Sequence, residues 1–228
     1  MIKVDRVRSV REATAFEQLG AGLIGVALSP DPRFEDSRTL RVEEAAEIGR
    51  ALRSAAPVAI MELDDDPGRI RRVAGAVGAK LVQPVTVVVP PAEVRAALSD
   101  AGIGIVYAGL EIAHDDDPGW IFGDYDATPE LGAVLFQAEV LPEFPDSWAF
   151  LRDKSPEFED EFQIADLNEL AAGHPLLVGF DWTAGNVKDI VAALPEVRGM
   201  ALTLAERARR PDARCHLYTD ALRVLQAL

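Results

Sequence analysis

The chain has 228 residues, 49% hydrophobic and 27% charged, which is ordinary globular usage and argues against a disordered, collagen-like or disulfide-framework protein. Thirty-eight acidic residues against 23 basic ones give a formal net charge of −15, a field that repels nucleic-acid phosphates and anionic lipid surfaces. We therefore expect no nucleic-acid partner and no membrane partner. The acidity indicates either solubility in a salty or crowded cytosol or a cationic ligand.

Targeting segments and reactive clusters are also scarce in the sequence. No apolar run approaches the roughly 20 residues that cross a bilayer, and residues 1–5 lack the layout of a secretory signal, so we expect a cytoplasmic protein. Cys215 is the single cysteine and can form no disulfide or thiolate cluster within one chain. His114, His174 and His216 lie far apart, and no nucleotide-binding loop is present. We expect no cofactor and no bound metal.

Short β-branched runs alternate with stretches of helical period along the chain, which predicts parallel strands joined by helical crossovers. The predicted strands are Ile2–Val4, Leu23–Leu28, Val58–Leu63, Lys80–Val82, Ile103–Ala108, Ala133–Ala138, Leu176–Phe180 and Met200–Leu204. The predicted helices are Val10–Leu19, Val42–Ser54, Gly68–Val77, Ala92–Asp100, Asp166–Ala172, Ala184–Leu194 and Leu217–Leu228.

Two segments break this rhythm, near residues 114–129 and 139–164. The first is too irregular for a crossover helix, and the second carries three prolines, which helix interiors exclude. We predict long excursions after strands five and six. The shorter run 64–68, three aspartates followed by Pro-Gly, indicates a helix N-cap.

Eight βα units without an internal linker predict one domain over residues 1–228, a single (β/α)₈ TIM barrel, with an open doubly wound sheet as the alternative. In such a barrel the C-terminal ends of the strands form the working face. We expect a small-molecule ligand at this mouth of the barrel and a monomer or homodimer.

Several segments resemble the phosphoribosylanthranilate isomerase family in residue type and spacing. They are residues 1–13, 19–21 and 24–34, the Leu-Val-Gln of 81–83, and residues 177–187, which occupy the place of a Gly-Gly-Leu-X-Pro-X-Asn-Val segment. The resemblance is firm over residues 1–52 and 176–206. It implies an eight-fold barrel and an Amadori aldose-to-ketose isomerisation in tryptophan biosynthesis.

That reaction needs a general base and a general acid. In the resembled family the base is a cysteine of the first strand, and this position is Asp5 here. The family's acid, an aspartate at the end of strand six, corresponds to Gln137, with Glu139 two residues beyond. Glutamine cannot exchange a proton at neutral pH, so the resemblance predicts Asp5 as base and leaves the acid to another residue. We expect Asp5 to be crowded by the neighbouring carboxylates Asp181 or Glu206.

The family's substrate contacts are only partly retained. Arg33 matches the position that faces the anthranilate carboxylate, and Gln83 matches a strand-four glutamine. Glu206 is kept after strand eight, whereas the phosphate-binding glycines after strand seven are replaced by Phe180 and Asp181. A carboxylate beside a phosphate dianion is repulsive, so we expect no phosphate between the loops after strands seven and eight.

Acidic residues follow nearly every predicted strand, which suits an oxygen-preferring cation or an amine, although an acidic protein has carboxylates everywhere. These residues are Asp5, Glu62, Asp64, Glu111, Glu139, Asp181 and Glu206. Three functions stay open. One is changed chemistry on a non-phosphorylated or cationic small molecule, one is the isomerase activity itself, and one is a non-catalytic binding or assembly role.

Overall fold

Eight parallel strands close into a barrel in the computed structural model, which describes residues 1–35, 38–64, 66–85, 89–158, 160–210 and 213–228. Each strand pairs with the next, and the last pairs with the first, so the predicted barrel is confirmed and the open sheet is wrong. The strands are β1 Ile2–Asp5, β2 Leu23–Ala27, β3 Ala56–Met61, β4 Leu81–Pro84, β5 Gly104–Ile112, β6 Ala133–Val140, β7 Leu176–Gly179 and β8 Gly199–Thr203.

Helices follow the strands and cover the outside of the barrel. They are α1 Val10–Gln18, α2 Val42–Ala51, α3 Pro67–Val77, α4 Ala92–Asp100, α5 Pro118–Ile121, α6 Gly123–Asp126, α7 Ser147–Ala149, α8 Ile164–Gly173, α9 Val187–Ala193 and α10 Tyr218–Gln226. Among the described residues, no helix combines the length and the apolar character that crossing a bilayer requires.

The acidic run at residues 64–68 contains the predicted helix cap. The Asp66 carboxylate accepts the Arg69 backbone N–H at 2.9 Å, and Pro67 occupies the first turn of α3. Asp64 pairs with the Arg69 guanidinium at 2.7 Å, while Asp65 lies outside the described residues. The described aspartates therefore cap the start of α3 and pair with Arg69.

The two excursions pack against each other beside the mouth. The backbone N–H of Leu141 donates to the Ile112 carbonyl at 2.7 Å. His114 donates its backbone N–H to Glu143 at 2.8 Å, and its carbonyl accepts from the Phe162 N–H at 2.7 Å. Because β6 continues to Val140, Glu139 is a strand residue and not part of the second excursion.

The interior of the barrel contains one layer of apolar side chains and one layer of polar side chains. Six apolar side chains from six strands form a cluster separate from the main core under the helices, namely Leu23, Val58, Val106, Leu135, Leu177 and Ala201. Four polar side chains are buried in the same interior, namely Lys3, Asp5, Gln83 and Gln137. This polar level leads to the C-terminal mouth.

Glu17 at the end of α1 holds the turn that precedes β3. One carboxylate oxygen accepts the backbone N–H groups of Arg53, Ser54 and Ala55 at 2.7–2.8 Å. These hydrogen bonds, that of Ala55 first, lower the pKa of Glu17 to about 2. A carboxylate with three backbone donors is a stabilising link between α1 and β3.

We expect Glu17→Gln to lower the free energy of unfolding at pH 7 by about 1 to 2 kcal/mol, less than the full pKa shift because water screens the carboxylate. The folded-state pKa is depressed, so this stabilisation is present above the unfolded value of 4.5 and is lost as the pH falls toward about 2. Urea titrations at pH 7 and pH 3 measure both effects. The exposed Glu47→Gln is the control, and an equal loss in both variants would contradict the prediction.

Candidate active site

Lys3 is the centre of the polar interior. Its Nζ donates to Asp5 Oδ2, to Gln83 Oε1 at 2.6 Å and to Gln137 Oε1 at 2.7 Å, so all three ammonium protons are used. Its side chain is 0% exposed, and this burial lowers the pKa of Lys3, an effect that the Asp5 carboxylate opposes. The ammonium therefore holds residues of three strands in one arrangement.

Three of the predicted site residues are thus brought together by a lysine that the sequence reasoning missed. The side-chain oxygens of Gln83 and Gln137 accept from Lys3 below the mouth. The sequence predicts that neighbouring carboxylates crowd Asp5. This is wrong for the charged group nearest to Asp5, because its Oδ2 contacts the Lys3 ammonium.

The second oxygen of Asp5 has no partner. Asp5 Oδ1 is buried and makes no hydrogen bond with any described residue. It lies against Gly25 of β2, where an added Cβ would approach Oδ1 to 2.1 Å and the Asp5 Cα to 3.1 Å. Only glycine at this position lets the carboxylate occupy its place.

Glu139 provides a second carboxyl group on the inner face of β6. It is half-buried, makes no hydrogen bond within the described part of the chain, and lies against Gly179 of β7. An added Cβ at Gly179 would be 2.3 Å from Oε2. Burial raises the pKa of Glu139, with Arg214 and Arg33 opposing and Asp5 reinforcing the shift. Glu139 is therefore a carboxyl group of the mouth whose burial favours the protonated form.

Arg33 follows β2 and reaches toward these carboxyl groups. Its Nε and Nη2 donate to the Asp31 carboxylate at 3.1 and 2.8 Å, which fixes the guanidinium. Burial works against the charged form, but the Asp31 hydrogen bond and the charges of Glu139 and Asp5 raise the pKa of Arg33. Its Nη1 makes no hydrogen bond with a described residue.

Arg214, which the sequence analysis also missed, approaches Glu139 from the segment between β8 and α10. Its Nη2 donates to the carbonyls of Leu141 and Phe144 at 2.5 and 3.1 Å. Burial lowers the pKa of Arg214, and the charge of Glu139 is the largest opposing influence. Glu139 thus lies in the field of two arginines.

Asp181 connects the loops after β6 and β7. Its Oδ1 accepts the Ser147 hydroxyl at 2.6 Å and the Trp148 backbone N–H at 2.9 Å, and its carbonyl accepts from the Asn186 side chain at 2.8 Å. The structure therefore places this predicted substrate-binding residue in a loop-fixing network.

Glu206 belongs to an ion-pair network at the edge of the barrel. Its Oε1 contacts Arg38 at 3.2 Å and Arg8 at 3.1 Å, and Arg38 also pairs with Glu12 at 2.6 Å. Arg38 is 2% exposed, so these carboxylates compensate a buried charge.

The remaining acids of the expected ring are dispersed. Glu62 and Asp64 are exposed beyond β3, and Glu111 lies 3.7 Å from Arg210. In the described ranges no group of three or more His, Cys, Asp or Glu side chains could hold a metal ion. The structure thus brings Asp5 and Glu139 into the mouth, whereas Asp64, Glu111, Asp181 and Glu206 have separate partners and Glu62 is exposed.

The loops after β7 and β8 use their backbone donors internally. The N–H groups of Leu204 and Ala205 donate to the carbonyls of Asp5 and His216 at 3.1 and 3.2 Å. The Thr183 N–H donates to the Asn186 side chain at 2.7 Å. A phosphate in this place would have to compete for these groups.

No family model matches the chain, and no curated protein matches it. Solved structures do. A phosphoribosyl anthranilate isomerase from Thermus thermophilus is 17% identical with a TM-score of 0.64, the match covering 99% of this chain and 96% of the other. N-(5'-phosphoribosyl)anthranilate isomerase from Pyrococcus furiosus is 13% identical with a TM-score of 0.64, and the match covers 100% of this chain and 99% of the other. A phosphonopyruvate hydrolase bound to oxalate and Mg²⁺ is 15% identical with a TM-score of 0.56, and the match covers 88% of this chain and 74% of the other. The resemblance to phosphoribosylanthranilate isomerases therefore holds for the fold over nearly the full chain.

Proposed function

We propose that this chain is an enzyme that moves protons on a small, non-phosphorylated molecule at the mouth of the barrel, with Asp5 as base and Glu139 as acid. The unlike environments of the two carboxyl groups carry the proposal. Asp5 is ion-paired with Lys3, whereas Glu139 has no hydrogen bond among the described residues and burial raises its pKa. Carboxyl groups whose environments differ in this way suit opposite roles in proton transfer.

The reaction class is an enolisation or isomerisation next to a carbonyl group. Asp5 takes the proton from the carbon, and Glu139 gives its proton to the carbonyl oxygen, so an enol forms without added charge, or an enediol where the substrate is an α-hydroxy carbonyl compound. The two residues then return the protons to new positions. Lys3 fixes Asp5 through Oδ2, and Oδ1 makes no hydrogen bond with any described residue.

The charges around the mouth favour a neutral or carboxylate-bearing substrate. The positive charges of Arg33 and Arg214 both interact with Glu139, and that of Arg33 also interacts with Asp5. A cationic ligand would meet both guanidinium groups. The internal use of the Leu204, Ala205 and Thr183 N–H groups supports the absence of a phosphate on the substrate.

Isomerisation of phosphoribosylanthranilate itself is the second candidate. It is favoured by the barrel shared with those isomerases over 99% of the chain and by a carboxyl group on each of β1 and β6. In this alternative Glu139 replaces the acid that the resemblance places at Gln137.

We expect the protein to exchange carbon-bound hydrogen for deuterium in D₂O with at least one unphosphorylated aldose, ketose or 2-oxo acid, followed by ¹H NMR. Asp5→Asn and Glu139→Gln should each reduce the exchange rate by about 100-fold or more, while the exposed Glu47→Gln leaves it unchanged. Because the acid must be protonated, the rate should fall as the pH rises through the pKa of Glu139, which lies above 4.5.

Unchanged exchange by Asp5→Asn would remove Asp5 from the mechanism. Rescue of a tryptophan auxotroph would establish the second candidate instead. If the protein exchanges no panel compound and does not rescue the auxotroph, the non-catalytic function takes the place of both.

A further inference from the structure

The side-chain amides of Gln83 and Gln137 have an orientation that chemistry dictates. An ammonium group carries only donors, so each amide has to turn its oxygen, and not its nitrogen, toward Lys3. The distances agree, because Lys3 Nζ lies 2.6 Å from Gln83 Oε1 and 2.7 Å from Gln137 Oε1. Since both oxygens contact the same nitrogen atom, the two amides are neighbours, and the N–H₂ group of each is left for another partner.

The two amide nitrogens are unpartnered but still accessible. Within the described ranges, neither Nε2 donates a hydrogen bond, since the side-chain bonds of both glutamines are those that their oxygens accept. Neither nitrogen is fully enclosed, unlike the unpartnered Oδ1 of Asp5. Gln83 and Gln137 are 4% and 5% exposed, so a small part of each amide can be reached.

The accessible side of these amides is the mouth of the barrel. Side chains two residues apart in a strand share a face, so Leu135, Gln137 and Glu139 follow one another along the inside of β6. Leu135 belongs to the apolar layer, which fills the interior below, and Glu139 is half-buried at the mouth. On β4, Leu81 packs against the same apolar layer two residues before Gln83. The open side of both amides is therefore the C-terminal side.

Two fixed N–H₂ groups suit an oxygen atom that becomes negative during a reaction. Donors that are held in place beforehand stabilise such charge without having to reorganise. The Lys3 ammonium polarises both amides through their oxygens, which strengthens their N–H groups as donors. Gln137 also lies directly before Glu139 on the inner face of β6, next to the residue that gives a proton to the carbonyl oxygen in the proposed function.

We propose that the amide nitrogens of Gln83 and Gln137 bind the carbonyl oxygen of the substrate and stabilise the negative charge that develops on it as the neighbouring carbon loses its proton. This inference rests on the proposed function and deepens it, because it adds two catalytic residues to the pair of carboxyl groups. Lys3 is then a positioning residue, since it acts on the substrate only through the two amides and Asp5.

Glutamate substitutions separate the two roles of each amide. In Gln83→Glu and Gln137→Glu a carboxylate still accepts from Lys3, but the N–H₂ donors are gone. We expect folded proteins in which kcat for deuterium exchange falls about 100-fold with little change in KM. Each variant is measured at its own pH optimum, because an added carboxylate also raises the pKa of Glu139. The exposed Gln18→Glu adds the same charge and should leave kcat unchanged.

Acetohydroxamate tests the donors without turnover. Its two adjacent oxygens on a planar frame resemble those of an enediol, and it carries no phosphate. Isothermal titration should show saturable binding to the unaltered chain and binding weaker by about tenfold or more to Gln83→Met and Gln137→Met, which remove the donors and add no charge. The methionine variants also take the place of a glutamate variant that does not fold.

The outcomes distinguish this inference from the proposed function. Undiminished exchange by both glutamate variants would overturn the inference and leave Asp5 and Glu139 as the proton-transfer pair. If the protein exchanges no panel compound, the proposed function fails, and the titration alone decides the inference. Absence of acetohydroxamate binding, or equally tight binding by both methionine variants, would overturn it.

Discussion

Replacing Lys3 with methionine should lower the free energy of unfolding by about 3 to 5 kcal/mol, because the Asp5 carboxylate is then left buried without its counter-charge. The side-chain oxygens of Gln83 and Gln137 lose their donor in the same step. Methionine fills a similar volume, so the loss reports the charge and not a cavity. Guanidinium titration at pH 7 measures it.

A double variant identifies the cause. Lys3→Met combined with Asp5→Asn removes both charges and should be more stable than Lys3→Met alone, since the buried carboxylate is gone. Lys80→Met, at an exposed lysine just before β4, is the control and should change nothing. If Lys3→Met were as stable as the unaltered chain, the ammonium would not hold the interior together.

The shifted pKa of Lys3 makes the free energy of unfolding depend on pH. Burial lowers the pKa of Lys3 below its unfolded value of 10.5. Between the two values the unfolded chain binds more protons than the folded one, so this group makes stability rise with pH in that window. The rise should be absent in Lys3→Met.

Most of the fold is predictable from the sequence because strand and helix periods are local properties. The apolar periodicity predicts helices over residues 10–19 and 92–100, for example. The observed helices start at the same residues, Val10 and Ala92. Irregular segments lack such a period. The second excursion is therefore predicted to begin at Glu139. In the structure Glu139 pairs with Gly179 of β7 and is still part of β6.

The sequence contains an indication of the polar cluster around Lys3. Residues two apart in a strand share a face, so Lys3 and Asp5 had to lie on the same side of β1. Strands buried on both faces are normally apolar throughout, and Lys3, Gln83 and Gln137 depart from that rule. Their convergence on one ammonium depends on barrel closure, which no local pattern specifies.

The partners of Asp181 and Glu206 could not be predicted for a related reason. Each acid follows a strand as expected, but the direction of its side chain is decided by distant residues. Asp181 binds the loop at Ser147, and Glu206 meets Arg38. Arg214 had no signal at all, since it lies in an irregular segment between β8 and α10.

Gly25→Ala and Gly179→Ala should separate folding from function. At Gly25 the new Cβ would be 2.1 Å from Asp5 Oδ1, 2.9 Å from Ile60 and 3.1 Å from the Asp5 backbone. Backbone cannot yield cheaply, so we expect a loss of about 3 kcal/mol in stability together with loss of exchange activity. Thermal unfolding and the deuterium-exchange assay measure the two effects.

At Gly179 the three atoms nearest to the new Cβ belong to the carboxyl group of Glu139, at 2.3–2.6 Å, and that end of the side chain can rotate away. Gly179→Ala should therefore keep nearly all its stability while displacing Glu139 and reducing exchange to the level of Glu139→Gln. Gly75→Ala is the control, because nothing lies within 4 Å of its new Cβ and alanine favours the helix, so its stability should rise slightly and its activity stay unchanged. Full activity in a folded Gly179→Ala protein would show that the position of the Glu139 carboxyl group is not required, and the acid would then have to be sought elsewhere in the mouth.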